Sequence, residues 1–126
     1  MISGLGIDII EVERIERAIN KNEKFLTRNF TENEIKYFND KGDKITSIAG
    51  NFAAKEAVSK AIGTGFRGFN FSDIEVLRDE LGRPIVYLYN GADEKAKELG
   101  ITEFILSISH THIYAVANCI CIKGAI

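Results

Sequence analysis

The 126 residues can bury one substantial core but are too few for two ordinary domains, so we expect a single domain over residues 1–126. Hydrophobic residues make up 45% and charged residues 27% of the chain, which is typical of a soluble globular protein. The formal net charge of −2 creates no field that would attract nucleic acid, and no run of about 18 apolar residues predicts a membrane span. The N-terminus lacks a signal-peptide pattern, so the expected location is the cytoplasm.

The predicted elements follow the chain in the order strand, three helices, two strands, helix and two strands. The strands are predicted over 2–10, over 71–89 as a pair joined by a turn at 79–82, and over 103–109 and 114–122. The helices are predicted over 11–19, 30–38, 47–62 and 90–100. This order, without isolated strand–helix–strand units, predicts an α+β fold with an antiparallel sheet and helices packed on it.

Local signals indicate where several of these helices begin and end. Thr31 followed three residues later by Glu34 is a capping box for the second helix. Gly63 ends the alanine-rich third helix, since glycine commonly follows a helix C-terminus. Asn90 is expected to cap the last helix, and Gly100 to end it.

Asp8 stands among isoleucines, where an unpaired carboxylate is costly to bury. In the sequence DIIE, Asp8 and Glu11 fit a capping box at the start of the first helix. Alternatively, Asp8 ends the first strand as a ligand of a hard cation such as Mg²⁺, and the isoleucines around it close the strand end against water. The residues alone leave both interpretations open.

The alanine-rich third helix carries a second group of candidate residues. Glu56 and Lys60 are four residues apart and therefore share one face of this helix. The sequence GTG, Gly63 to Gly65, follows it and offers backbone N–H groups that could cradle phosphate, although such loops usually precede a helix. The alternative is an ordinary surface ion pair followed by a glycine cap.

His110 and His112 lie in the predicted turn between the last two strands, without a third histidine in the chain. Cys119 and Cys121 are two positions apart in the last strand, so they lie on one side of it and are expected to be buried thiols. A zinc site is therefore not indicated. His110 is either a structural histidine or, with the hydroxyl groups beside it, a residue suited to phosphate.

A basic stripe runs along the first helix. Arg14, Arg17 and Lys21 recur at steps of three and four residues, which places them on one face. Acidic residues alternate with them, and this favours an ordinary solvated face. The alternative is a surface that docks a small acidic partner.

The chain resembles the holo-acyl-carrier-protein synthases, a family of 4′-phosphopantetheinyl transferases, in several segments taken in order. These segments are GIDIIEVERI, FTENE, FAAKEAVSKAIGTG, GRP and SISHTHIYAVA. The resemblance runs from about Ser3 to Ala117. The segments most specific to the family are GIDI and FAAKEA–KA–GTG, separated along the chain as they are here. It implies the transferase-like α+β fold, present here as a single half of the double-length relatives.

The resemblance implies an enzyme that moves the 4′-phosphopantetheine arm of coenzyme A to a serine of an apo acyl carrier protein and releases adenosine 3′,5′-bisphosphate. It implies Mg²⁺ held by Asp8 and Glu56, with Lys60 at the diphosphate of coenzyme A. Glu56, Lys60 and His110 are the residues expected to act in catalysis. The coenzyme A site is expected to contain Lys60, Gly63, Thr64, Gly65, Ser109, His110 and Thr111.

The same resemblance implies how the chain meets its protein partners. The first helix of this family binds the acidic carrier protein, which assigns that function to Arg14, Arg17 and Lys21. Short members of the family are trimers, so we expect a homotrimer with its sites between subunits. The strand over 114–122 is the candidate for the central contact.

Asn51 departs from the family pattern, because many members have arginine at this position. That arginine would help to bind the 3′-phosphate of coenzyme A. We expect Lys44, Lys55 or His110 to substitute for it.

If the family resemblance is set aside, two other functions fit the same residues. One is a Mg²⁺-dependent phosphohydrolase, which would use these carboxylates with a water nucleophile and no protein acceptor. The other is an α+β binding module, in which the carboxylates would be helix caps and surface pairs. Only the fate of coenzyme A and of a carrier protein separates the three.

Overall fold

The computed structural model describes residues 1–124, and residues 125 and 126 of the expected domain lie outside this part. Its strands are β1 (Ile2–Glu11), β2 (Ile74–Arg78), β3 (Pro84–Leu88), β4 (Ile101–His110) and β5 (Tyr114–Lys123). Its helices are α1 (Val12–Lys21), α2 (Phe25–Asn29), α3 (Glu32–Asn39), α4 (Lys44–Ile62) and α5 (Asn90–Glu98). A short 3₁₀ turn, Phe71–Asp73, precedes β2.

Two antiparallel sheets form the β part of the fold. The larger sheet has the strand order β1–β5–β4, and the smaller one is the hairpin β2–β3. Helix α4 packs across one face of the larger sheet and also contacts β2. The fold is therefore α+β, as the order of the predicted elements indicated. Among the helices of the described part, none combines the length and the apolar character that crossing a membrane requires.

Strand β1 lies very close to α4 because two of its residues have no side chain. A Cβ atom on Gly4 would overlap the carbonyl oxygen of Ala61, and one on Gly6 would overlap that of Ala57. Glycine at both positions lets the two backbones touch. Since residues two apart on a strand share a face, Asp8 also lies on the α4 side of β1.

The hydrophobic core has two parts, which lie on different sides of α4. The part between α4 and the sheets contains Ala53, Ala57, Val58, Cys119 and Cys121, among other buried residues. The part between α4 and the preceding helices contains Val12, Ile15, Phe30, Phe38 and Ile48, among others. Helix α4 is therefore apolar nearly all round, and both cysteines are buried free thiols, as predicted.

Three local predictions are confirmed. The hydroxyl of Thr31 accepts from the backbone of Glu34, whose carboxylate accepts in return from the backbone of Thr31. Gly63 ends α4 in the left-handed conformation, with φ of +97°. The turn between β2 and β3 is closed by a hydrogen bond from the N–H of Gly82 to the oxygen of Asp79.

The helix-cap interpretation of Asp8, one of the two left open, is wrong, and so is the predicted cap at Asn90. β1 continues to Glu11, which precedes α1 without a side-chain cap, so Asp8 lies inside a strand. Asn90 is the first residue of α5, and its amide donates to the carboxylate of Asp73. In addition, the five-residue helix α2 is absent from the prediction, since no side-chain cap marks its start.

The face of the larger sheet away from α4 carries large apolar side chains. Leu5 is 64% exposed and Ile7 is 60% exposed. The strand register places Leu5 beside Ile120, and Ile120 beside Ile105, so one apolar row crosses all three strands. Residues 1–124 leave this surface, which we call the open face, uncovered. Contiguous exposed apolar surface of this kind is typical of an interface.

Candidate active site

Asp8 lies on the side of β1 that meets α4, and its side chain is only 18% exposed. Alternation along the strand sends Ile7 and Ile9 to the open face, where both are exposed. The expectation that the neighbouring isoleucines shield Asp8 from water is therefore wrong for Ile7 and Ile9. Ile10 lies on the same side of β1 as Asp8 and packs against the core. The partial burial of Asp8 comes from the close approach of β1 to α4.

Glu56 and Lys60 of α4 meet Asp8 at this contact. Lys60 Nζ lies 3.3 Å from Asp8 Oδ1 and donates a hydrogen bond of 3.0 Å to the backbone oxygen of Ile7. Partial burial raises the pKa of Glu56, the negative charge of Asp8 raises it further, and Lys60 opposes the shift. Two carboxylates thus share a small region with the ammonium group of Lys60, which leaves negative charge in excess.

The chemistry of this donor set limits the kind of metal it could hold. Within residues 1–124, no group of three or more histidine, cysteine, aspartate or glutamate side chains is arranged as metal ligands. Mg²⁺ is usually bound through one or two protein carboxylates, with waters and substrate phosphates as its other ligands. Asp8 and Glu56 therefore fit a Mg²⁺ ion shared with a phosphate-bearing substrate.

The GTG segment forms the turn that ends α4. Gly63 and Gly65 have φ values of +97° and +61°, which glycine adopts without strain. The N–H of Gly63 closes the helix on the oxygen of Ser59 at 3.2 Å, and the Thr64 hydroxyl donates to the oxygen of Gly65. The segment therefore begins within one helical turn of Lys60, at the same end of α4.

The segment from Ser109 to Thr111 does not form one surface. Ser109 lies on the open face, whereas His110 lies on the side of the sheet that packs on α4. Thr111 begins the β4–β5 turn, where its hydroxyl oxygen accepts from the N–H groups of Ile113 and Tyr114. Within one subunit these three side chains point in different directions.

A buried ion pair that the sequence analysis missed joins α3 to α4. Lys55 Nζ and Glu34 Oε1 are 2.7 Å apart, and both side chains are fully buried. Burial raises the pKa of Glu34 and lowers that of Lys55, while their mutual attraction opposes both shifts. Lys55 also donates to the backbone oxygens of Phe71 and Ile74.

The position of Lys55 corrects one expectation. Its ammonium group is enclosed by protein acceptors, so Lys55 cannot substitute for an arginine that binds a ligand. A signal for this burial is present in the sequence. Lys55 directly follows Ala53 and Ala54 in a helix that is apolar nearly all round, and a lysine at such a position needs a buried partner.

Asn51, at the position where the resemblance implies arginine, belongs to the same buried network. Its amide nitrogen donates to Glu34 Oε2 at 3.2 Å and to the oxygen of Val76 at 2.9 Å. Its Oδ1 atom accepts a hydrogen bond of 3.0 Å from Arg78 Nη2. Asn51 therefore holds an arginine that comes from β2.

A cleft of about 220 Å³, which we call the hairpin cleft, opens between the β2–β3 hairpin, α4 and the end of β4. Arg78 and His110 line it, together with the hydroxyl side chains of Thr46 and Ser47. No acidic side chain of the described residues is part of this lining. Lys44, expected as another substitute for the missing arginine, begins α4 outside the cleft.

The basic stripe forms as predicted on the exposed side of α1. Arg14, Arg17 and Lys21 line one shallow surface depression, while Val12 and Ile15 are buried on the other side of the helix. None of the three basic side chains forms an ion pair within residues 1–124. The stripe therefore presents positive charge that an acidic partner could neutralise.

An α+β fold that joins two carboxylates and a lysine in this way is suited to an enzyme that acts on a phosphate-bearing substrate. Residues 4–117 match the family profile described as the 4′-phosphopantetheinyl transferase superfamily. The chain is 58% identical over 119 residues to the holo-[acyl-carrier-protein] synthase of Clostridium beijerinckii, covering 93% of this chain and 94% of that protein. The chain therefore belongs to the 4′-phosphopantetheinyl transferase superfamily, as its sequence segments indicated.

Solved structures of relatives have the same fold. The holo-[acyl-carrier-protein] synthase of Neisseria meningitidis has a TM-score of 0.91 and 35% identity, over 98% of this chain and 100% of that chain. A holo-(acyl-carrier-protein) synthase of Bacillus anthracis, crystallised in complex with CoA (3′,5′-ADP), has a TM-score of 0.81 and 41% identity. That likeness covers 98% of this chain and 99% of the other.

The electrostatic coupling between Asp8 and Glu56 can be measured in the metal-free protein. Asp8→Asn removes one negative charge, so the pKa of Glu56 is expected to fall while remaining above the ordinary value because its burial persists. Lys60→Met should have the opposite effect. NMR titration of the side-chain carboxyl carbon, with the Glu56 signal assigned by Glu56→Gln, provides the test. An unchanged pKa of Glu56 in Asp8→Asn would show that the two carboxylates do not interact.

Proposed function

We propose that this protein transfers the 4′-phosphopantetheine arm of coenzyme A to a serine of an apo acyl carrier protein, releasing adenosine 3′,5′-bisphosphate. The observation that carries the proposal is the convergence of Asp8, Glu56 and Lys60 in a chain of this superfamily. The names of the relatives supply the carrier protein and coenzyme A as substrates. We further propose that residues 1–126 act as one domain, in the cytoplasm.

Each residue of this cluster has a distinct proposed task. Asp8 and Glu56 would hold Mg²⁺, which when bound would offset the negative charge of the diphosphate. Lys60 is about half exposed, so its ammonium group is accessible to the same diphosphate. The cluster thereby supplies positioning and charge neutralisation, which are the main requirements of phosphoryl transfer.

The proposed transfer is a displacement at phosphorus. The serine hydroxyl oxygen attacks the phosphorus atom that carries the pantetheine arm. The bond from this phosphorus to the bridging oxygen breaks, and that oxygen leaves with its electron pair as part of adenosine 3′,5′-bisphosphate. The serine proton passes to a base, for which Glu56, a bound water molecule and another carboxylate are the candidates.

The remaining predicted contacts of coenzyme A lie towards opposite ends of α4. Gly63 follows its C-terminus, whereas His110 lines the hairpin cleft beside Gly50. The intervening helix is about 20 Å long at about 1.5 Å per residue. We propose that one coenzyme A contacts the GTG segment of one subunit and the Ser109–Thr111 segment of another. The catalytic action of His110 stays a prediction.

A homotrimer would provide these shared sites, and the open face supports it. The large apolar side chains of this face lie on all three strands of the larger sheet. Only alternate residues of β5, among them Val116 and Ile120, reach this face, because Cys119 and Cys121 point to α4. We therefore propose the open face, rather than the whole of β5, as the contact around which subunits assemble.

The basic stripe is the proposed docking surface for the carrier protein. Arg14, Arg17 and Lys21 share one depression and lack ion-pair partners within residues 1–124. Acyl carrier proteins are expected to be acidic, so complementary charge would steer their approach. The stripe is on the first helix after β1, the strand that carries Asp8.

The transferase reaction can be followed on the carrier protein itself. Apo carrier incubated with coenzyme A, Mg²⁺ and the wild-type protein is expected to gain one phosphopantetheine group, measured by mass spectrometry. Asp8→Ser should lose most turnover and keep its melting temperature, because Asp8 caps no helix. Excess Mg²⁺ should restore its activity only in part. The control Asp93→Ser, which removes a carboxylate from an exposed pair on α5, should stay active.

Each alternative function predicts another outcome in this experiment. Cleavage of coenzyme A without a mass gain on the carrier would identify a phosphohydrolase. Absence of any reaction with the wild-type protein would support a binding module. Near-normal turnover of Asp8→Ser at modest Mg²⁺ concentration would remove Asp8 from the proposed metal site.

The docking role of the stripe predicts an effect on one substrate only. Arg14→Glu should raise KM for the carrier protein by about tenfold, because steering by complementary charge is lost, and leave KM for coenzyme A nearly unchanged. The difference should shrink as salt shortens the Debye length to about 10 Å near 0.1 M. Lys97→Glu, on the exposed side of α5, is the matched charge reversal. Equal effects of Arg14→Glu on both substrates would contradict docking.

The oligomeric state can be measured by light scattering at micromolar concentration. The wild-type protein should give about three times the chain mass of 14.0 kDa. Leu5→Arg places a charge on the open face and should lower both this mass and the transferase activity. Leu81→Arg alters an equally apolar, 95% exposed residue of the hairpin turn and should change neither. A fully active monomer would refute the shared site.

A further inference from the structure

Arg78 is held in place without a carboxylate partner in the described part of the chain. Within residues 1–124 it forms no ion pair, and its hydrogen bonds go to Asn51 Oδ1 at 3.0 Å and to the backbone oxygen of Leu77 at 3.3 Å. The guanidinium carbon lies 4.9 Å from the ring centre of Tyr37. Guanidinium has five N–H donors, and most of those of Arg78 have no acceptor among the described residues. The amide and the ring therefore orient an arginine that keeps binding capacity.

The hairpin cleft onto which Arg78 opens has the chemistry of an anion site. Arg78 supplies a positive charge and several N–H donors, and His110 supplies an imidazole ring. The hydroxyl groups of Thr46 and Ser47 line the same cleft and donate to the backbone oxygen of Asp43. The nearby carboxylate of Glu34 is buried and already bound by Lys55, so it does not occupy the guanidinium. A phosphate monoester needs several donors and no carboxylate beside it. The proposed diphosphate site differs from this cleft. Its two carboxylates, Asp8 and Glu56, repel a bare phosphate and suit a phosphate that is bound together with a cation.

Asn51 explains why this arginine comes from β2. Its amide nitrogen is committed to Glu34 and to the backbone of Val76, which turns Oδ1 towards Arg78. An arginine at position 51 would meet a buried site already filled by this network. The chain thus has asparagine on α4 and arginine on the adjacent strand β2. The guanidinium group of Arg78 therefore reaches the cleft from the hairpin.

We propose that Arg78 binds the 3′-phosphate of coenzyme A in the hairpin cleft, with Asn51 as its positioning residue. This inference rests on the proposed transferase function. It assigns to a residue of β2 the contact that the arginine absent at position 51 would have made. Arg78 thereby discriminates coenzyme A from 3′-dephospho-coenzyme A, which lacks this phosphate and is otherwise identical.

The kinetic test compares these two nucleotides as donors to the same apo carrier protein. Loss of a charge-assisted hydrogen bond corresponds to about tenfold or more in kcat/KM. Arg78→Gln should show this loss with coenzyme A and leave kcat/KM for 3′-dephospho-coenzyme A nearly unchanged. Arg78→Lys should restore part of the preference. Arg83→Gln is the matched control, because Arg83 lies on the same hairpin with its side chain 80% exposed.

A binding measurement separates this inference from the proposed function. Calorimetry should show that the wild-type protein binds adenosine 3′,5′-bisphosphate more tightly than adenosine 5′-monophosphate, and that Arg78→Gln removes the difference. This result would stand even if no transfer to a carrier were detected, in which case only the transferase proposal would fail. Equal loss for both nucleotides, or no preference in the wild-type protein, would overturn the role of Arg78. Melting curves show whether Arg78→Gln is folded. If it is not folded, the same binding comparison is made with Arg78→Lys.

Discussion

The contact between β1 and α4 is the constraint on which the rest of the molecule depends. Gly4 and Gly6 allow the strand backbone to touch the helix backbone, and a Cβ atom at either position would push the two apart. Asp8 follows on the same face of the strand, so the approach brings its carboxylate against Lys60 and into the field of Glu56. The two missing side chains therefore determine the geometry of a charged cluster several residues away. Lys60 forms an ion pair with Asp8 and lowers the pKa of Glu56, so its positive charge offsets part of the repulsion between the two carboxylates.

A second constraint is polar and fully buried. The pair of Glu34 and Lys55 is satisfied by further hydrogen bonds from Asn51 and to backbone oxygens, and within residues 1–124 no buried side-chain polar atom lacks a partner. Removing one member of such a pair commonly costs about 3–5 kcal/mol, because a charge is left buried without compensation. Since the pair connects α3, α4 and β2, it also determines where the hairpin lies against α4. The hairpin cleft, with Arg78 on its wall, is a consequence of that placement.

The larger sheet is built asymmetrically, and the asymmetry follows from the same close packing. The side facing α4 has small residues such as Ala115 and Ala117, which leave room for the helix. The open face has larger residues, including Leu5 and Ile120, and these have no cover within residues 1–124. A layer with one apolar side exposed is stabilised when another surface covers it. The division of the proposed coenzyme A contacts between the two ends of α4 agrees with assembly on this face.

The sequence by itself determined the order of the elements, the α+β class, the family, and the candidates Asp8, Glu56 and Lys60. These follow from local periodicity, glycine signals and motif segments, which depend on residues close together in the chain. Tertiary structure alone decided that Asp8 lies in a strand rather than at a helix cap, because β1 continues by pairing with β5, more than a hundred residues away. It also decided that Lys55 is buried and that Arg78 reaches the hairpin cleft. Both outcomes require helices and strands from distant parts of the chain to meet, and local sequence patterns carry no information about that meeting.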